Sequence, residues 1–294
     1  MRNKYIEKGR TIVITFILIL VGLFVCSGEQ VMAGNAKKIT IFKASSDSNV
    51  KVKNYNVNVQ KYDITGDSRN DKITIKAQMR YSGGKSKVTV SINGKTAYSY
   101  SSQFLSDIVI DFICLENKKS YLFFNVYDTR SNLGDAQFLL LYQSGKLKKA
   151  VDFTKYYCFK SAEILKVYGN KIDVKIFVSP RSLSNSSVQH TYIYKNGKLI
   201  RSGNIGEIIY TCGTHPSGYG TLRNDYTLYT TAAGNKVKEK LKAGTKAAAQ
   251  KVYLKNNKLS RIQIRTADGK TGWIKAVEQY GEKNLVFREA MYAG

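Results

Sequence analysis

Two prolines in 294 residues are too few to interrupt regular structure. Histidine (2), tryptophan (1) and cysteine (4) are nearly as scarce, and acidic side chains number 21 against 47 Lys and Arg. Each shortage excludes something. His190 and His215, far apart and without clustered cysteines, cannot supply the three or four close ligands of a zinc site. No CxxC pair is present, and no long helix is evident to hold a nucleophile. A Cys114 or Cys158 thiol working with His190 is therefore a poor candidate catalytic pair. No nucleic-acid recognition motif appears. The longest apolar run, residues 11–25 (TIVITFILILVGLFV), falls short of the roughly 20 residues that span a bilayer.

That run instead fits an export signal. Arg2, Lys4, Lys8 and Arg10 precede it, and Val31-Met32-Ala33 offers small residues at the cleavage position, the three-part plan of a secretory signal peptide over residues 1–33. If uncleaved, it would be the chain's contact with a membrane. Val25 before Cys26 is a poor fit to a lipoprotein box. Export leaves three cysteines, Cys114, Cys158 and Cys212: one disulfide and a thiol, or three buried apolar residues, with burial the default.

The excess of base gives a formal charge of +26 and a pI near 9.8. Lysine is spread along the chain rather than run together. Such a field draws an exported protein to polyanions such as wall teichoic acid, and it also keeps β-edges apart and the protein in solution. Nucleic acid is the weaker expectation once the chain is exported.

What the sequence has in quantity is tyrosine (21), valine, isoleucine and threonine, a mix that suits strands. Apolar and polar residues alternate over Lys38–Ala44, Val50–Tyr62 and Lys72–Met79, the period of half-buried strands. Between the last two lies Asp63-Ile-Thr-Gly-Asp-Ser-Arg-Asn-Asp71. Asp63, Thr65, Asp67 and Asp71 place side-chain oxygens at loop positions one, three, five and nine, and the Arg69 carbonyl can add another. Calcium takes six to eight such oxygens, so the expectation is one Ca2+ site. The competing reading is a polar turn rich in Asp, Asn and Gly.

Asn93-Gly94-Lys95 is a strong hairpin signal, and it recurs as Ser144-Gly145-Lys146 and Asn196-Gly197-Lys198, with the glycines 51 and 52 positions apart. The preceding strands keep nearly the same step: Asn70–Ile75, Lys118–Phe124 and Asn170–Ile176. A period near 51 in about three units, each of roughly four short strands, predicts an all-β, propeller-blade-like repeat body. Three units fall short of a closed propeller, so an open stack or a sandwich-like body is the alternative. Only the first unit carries the acidic loop.

The motif Asp63-x-Thr65-Gly66-Asp67-x-x-x-Asp71 followed by a strand resembles the calcium loop of FG-GAP/VCBS-type repeats of exported bacterial surface proteins. Those loops usually carry Gly at the sixth position, where this chain has Ser68. The resemblance covers about residues 35–215, within a β-repeat domain over residues 34–220. Beyond it, Leu228-Tyr229, Leu241-x-Ala-Gly-Thr245, Ile262-Gln-Ile264 and Asp268-Gly-x-x-Gly-Trp-Ile274 resemble a bacterial SH3-like domain, a small barrel over residues 221–280, with 281–294 as a C-terminal tail. The resemblance implies binding of cell-wall peptides or peptidoglycan. Tyr229 and Trp273 are the candidate ligand residues, Trp273 being alternatively part of the barrel core. Asp107 and Asp111 point the same way if they share a strand, as edge carboxylates, a satisfied pair, or less plausibly a glycosidase pair.

The expectation is a secreted or cell-surface, non-enzymatic protein with a calcium-stabilised body and an SH3-like module for cell-wall (peptidoglycan or teichoic acid) or peptide binding. A wall-polymer hydrolase and a purely structural or adhesive module are the alternatives.

Overall fold

The structure, a computed structural model, describes residues 36–46, 51–81, 84–103, 105–128, 134–211, 218–279 and 281–290. The signal segment 1–33, Cys26, Cys212 and His215 lie outside the described residues. The described chain is all-β, built of antiparallel sheets, with no α-helix among these residues.

After β1 (Lys37–Ser45), four consecutive strands form the first sheet in sequence order: β2 (Val52–Tyr62), β3 (Asp71–Arg80), β4 (Ser86–Ile92) and β5 (Lys95–Ser102). A second sheet repeats the meander with β6 (Leu105–Cys114), β7 (Ser120–Asp128), β8 (Gly134–Gln143) and β9 (Lys146–Asp152), and β1 is added beside β6. A third meander follows the short 3-10 turn Phe153–Lys155: β10 (Phe159–Tyr168), β11 (Lys171–Val178), β12 (Ser186–Lys195) and β13 (Lys198–Arg201).

The sequence period has a structural counterpart. Each of the three recurring turns joins the third and fourth strands of its meander. Asn93-Gly94, Ser144-Gly145 and Asn196-Gly197 all take positive φ at both residues, near 50° and then 80°. That is the two-residue turn whose twist matches the flanking strands. The strands that keep the 50-residue step, β3, β7 and β11, are the second of each meander. Among the described residues no sheet closes on itself.

The meanders stack as layers. Ile73, Ile75, Val88 and Val90 of the first sheet pack on Ile108, Ile110, Phe124 and Phe138 of the second. The opposite face of the second sheet presents Ile113, Tyr121, Phe123 and Leu139 to Ile164, Ile172, Val174 and Val188 of the third, with Phe153 between. The middle sheet is thus covered on both faces. This explains why its strands read as almost unbroken apolar runs (IVIDFIC, SYLFFNVY, QFLLLY) while β3 alternates residue by residue. Gln137, fully buried, joins the last two layers: its carbonyl accepts from Ala162 N–H and its amide donates to Asn125.

The third sheet does not stop at residue 220. β14 (Ile205–Thr211) pairs with β12 on one side and β18 (Lys246–Lys255) on the other. The C-terminal strands therefore continue the same sheet, and their apolar residues share one core with the third meander. Gly206 sits where β14 crosses His190: a Cβ there would stand 2.5 Å from Val188 Cγ1 and 2.6 Å from His190 Nε2, so no larger residue fits. The segment read as a tail is also built in. Leu285, Val286 and Phe287 are all but fully buried, and Phe287 bridges to Leu222.

Candidate functional site

The Asp63–Asp71 loop is pinned from below by Ile64, which plugs the first core at 2% exposure. Asp71 opens β3 with its carboxylate buried and turned back into the loop. Its Oδ2 accepts the N–H groups of Ile64 (2.8 Å) and Thr65 (2.9 Å), and its Oδ1 accepts Asn93 Nδ2 (2.6 Å) and the Thr65 hydroxyl (3.2 Å). Four donors saturate the carboxylate. Asp63 acts likewise: Oδ1 takes the N–H groups of Gly66 (2.6 Å) and Asp67 (3.2 Å), and Oδ2 takes Ser68 N–H (2.7 Å). Asp67 Oδ1 accepts Arg69 N–H at 2.9 Å, a turn closed by its own side chain.

The Thr65 hydroxyl stands 3.4 Å from Asp63 Oδ1 and 3.2 Å from Asp71 Oδ1, so three of the five expected cation ligands already meet. Asp67 is turned onto Arg69 instead. Among the described residues no set of three or more His, Cys, Asp or Glu side chains converges as a metal cluster. Ser68 has φ 68°, the left-handed conformation that favours glycine. Ser68 thus holds a backbone conformation that strains an L-residue.

The second candidate lies in the C-terminal unit: β15 (Gly220–Thr221), β16 (Tyr226–Tyr229), β17 (Val237–Leu241), β18, β19 (Lys258–Thr266) and β20 (Thr271–Lys275). β16 pairs with β17 and touches β20 through Tyr229 and Trp273, while β18, β19 and β20 form a meander. The Gly-Trp-Ile string has a packing reason. A Cβ on Gly272 would meet Leu228 Cγ at 2.5 Å and the Tyr229 carbonyl at 2.9 Å, so glycine lets β16 lie close against β20.

The two residues singled out as ligand groups separate here. Trp273 is 5% exposed and belongs to the interior. Tyr229 is half-exposed and lines a cleft of about 260 Å³ with Asn224, Tyr226, Thr227, Lys275 and Asn284. Burial raises the Tyr226 phenol above its ordinary value, so it presents a neutral hydroxyl. Asp225 at the rim accepts Ala243 N–H (2.8 Å) and pairs with Lys242 (3.0 Å), which hold its carboxyl below the usual range. The lining offers stacking faces, hydrogen-bond donors and acceptors, the ammoniums of Lys275 and Lys283, and the Asp225 carboxylate.

Other residues of chemical interest serve packing. His190 is buried, its Nε2 2.6 Å from the Tyr156 hydroxyl; burial, with Arg201 nearby, lowers its pKa to about 3. Asp111 is buried, accepts the Thr40 hydroxyl at 2.6 Å and faces Lys38 at 4.0 Å, a satisfied carboxylate. Asp107 is half-exposed on the same strand. Cys114 and Cys158 are free thiols, each half-buried rather than fully so. Sequence reasoning passed over Arg261. Its neighbours in SRIQIRT alternate as a strand with one wet face, yet Arg261 is only 6% exposed.

No family model, curated protein or solved structure matches this chain. What the two sites can do follows from their own groups.

Proposed function

We propose that this chain is an exported, non-enzymatic β-protein of the bacterial surface that binds a cell-wall peptide through the Tyr226–Tyr229 cleft. The single observation that carries this reading is the cleft itself: two tyrosines, the Asn224 and Asn284 amides and the Lys275 and Lys283 ammoniums gathered on one open face, with the Asp225 carboxylate already paired to Lys242. An extended peptide with a free carboxylate matches that set, since the rings give contact area at low entropic cost and the ammoniums a charge partner. The C-terminal strands are, on this reading, an SH3-like barrel, and the three stacked meanders are blade-like repeats of the FG-GAP/VCBS kind. The test is retention on purified peptidoglycan at high salt, where exposed-charge attraction is screened. Tyr226→Ala should abolish retention. Retention lost with added salt in the parent protein would leave only charge attraction. Release of wall fragments would overturn the non-enzymatic reading in favour of a hydrolase.

A second reading concerns the loop, and the gathering of Asp63, Thr65 and Asp71 favours it. Calcium would be held by Asp63, Thr65, Asp67 and Asp71 with the Arg69 carbonyl, the carboxylates leaving the amides they now accept. Calcium should then raise the melting temperature, and Asp67→Ala should remove the rise. No change with calcium leaves the loop a turn held by its own hydrogen bonds.

A further inference from the structure

Beside the cleft runs an open groove of about 510 Å³ along β19, lined by Lys255, Lys258, Arg261 and Lys275 among others. Strand pairing sets these cations together: Lys255 faces Lys258 across the hairpin turn, and Arg261 faces Lys275 across the next pair. Strand geometry puts Lys258 and Arg261 about 10 Å apart along β19, with Lys275 about 5 Å to the side. Among the described residues, no carboxylate forms an ion pair with any of the four. Elsewhere on the surface lysines do find acids, as Lys251 does with Glu207 and Lys270 with Glu239.

Arg261 is the anchor. Its guanidinium lies 4.0 Å from the centre of the Tyr229 ring, and Nη2 donates to Asn235 Oδ1 at 2.9 Å. Nη1 is buried and has no hydrogen-bond partner. A guanidinium without a carboxylate partner in a low-dielectric setting keeps a strong field at the groove, and its N–H without an acceptor is a standing cost that a small turn of the side chain toward a ligand oxygen would relieve. The hairpin tip is held in place: Asn257 donates to the Lys155 carbonyl (2.9 Å) and accepts Arg201 Nη1 (3.1 Å). The hairpin that carries Lys255 and Lys258 and the Arg261 guanidinium are thus in place before any ligand arrives.

We infer that this groove is a binding site for a phosphate-bearing polyanion, with Arg261 as the central contact and Lys255, Lys258 and Lys275 neutralising successive charges. Phosphate suits the arrangement because it presents several acceptor oxygens around one centre, to donors that here come from the three adjacent strands β18, β19 and β20. The site shares Lys275 with the cleft, but Lys255, Lys258 and Arg261 lie outside the cleft lining, so it stands whether or not a peptide binds beside Tyr226.

The experiment titrates the full chain with short inorganic polyphosphate by calorimetry at about 0.15 M salt, where distant surface charges are screened. Lys255→Gln with Lys258→Gln, both exposed and safe for folding, should weaken binding about tenfold, as should Arg261→Gln if it folds. Lys76→Gln with Lys87→Gln, on the outer face of the first sheet, should leave it unchanged. Equal losses in both double variants, or none in either, would overturn the site. Poly-glutamate binding as tightly as polyphosphate would overturn the choice of phosphate. Tyr226→Ala should leave polyphosphate binding intact, so failure of the peptide reading and failure of this one are distinguishable.

Discussion

Asn93 Nδ2 donates to Asp71 Oδ1 at 2.6 Å, while Asn93 Oδ1 accepts Lys72 N–H at 2.9 Å. One turn residue of the β4–β5 hairpin thereby fixes both the acidic loop and the first residues of β3. Asp71→Ala would strand two loop amides and the Asn93 amide, and should cost about 3 kcal/mol in urea unfolding. Asn93→Gly keeps the turn conformation and loses only the side-chain bonds, so it should cost about 1 kcal/mol. A double variant less destabilised than the sum of the two would establish their coupling.

Ser68 holds φ 68° in the same loop. Ser68→Gly relieves that strain but gives the unfolded chain more freedom. The net expectation is a gain of up to about 1 kcal/mol, read as a higher urea midpoint at unchanged slope. If calcium binds the loop, the same substitution should lower the calcium concentration needed for stabilisation.

His190 predicts a pH dependence. Its ordinary value is 6.5 and burial lowers it to about 3 in the folded chain. Between those values the unfolded chain binds the extra proton and the folded chain does not. Stability is full above about pH 6.5 and falls as pH drops toward 3, at up to about 1.4 kcal/mol per pH unit. The contrast between the parent and His190→Gln from pH 7 to 5, above the range where carboxylates titrate, isolates this residue. Parallel curves would refute it.

Phe287 is fully buried near the C-terminus. Phe287→Ala should cost about 3–5 kcal/mol by cavity formation. Thermal unfolding that left the protein unaffected would show the last segment to be dispensable.

Much of this was legible in the residues. Asn93-Gly94, Ser144-Gly145 and Asn196-Gly197 revealed the hairpins and their period because a turn is specified locally by φ. Alternation in β3 marked its buried face for the same reason. What was hidden is non-local. Nothing near Ile205–Thr211 announces that it will bridge β12 and β18, so residue 220 read as a boundary. The Leu285–Phe287 segment is too short to carry a period, and it read as a tail. The spacing of the Asp63 and Asp71 oxygens was legible in the sequence, but not the loop amides that donate to them in the folded chain. Arg261 was missed because a charged residue beside an apolar one reads as the wet face of a strand, and only the packing of Tyr229 over it shows otherwise.

The two-sided burial of the β6–β9 sheet has a bearing on how the chain is made. Synthesis runs from the N-terminus, so residues up to Asp152 emerge with one face of that sheet covered and the other, with Ile113, Tyr121, Phe123 and Leu139, bare. Until β10–β12 follow, the nascent polypeptide carries an adhesive surface that the finished protein conceals. Premature termination anywhere between β9 and β12 should therefore yield fragments that aggregate.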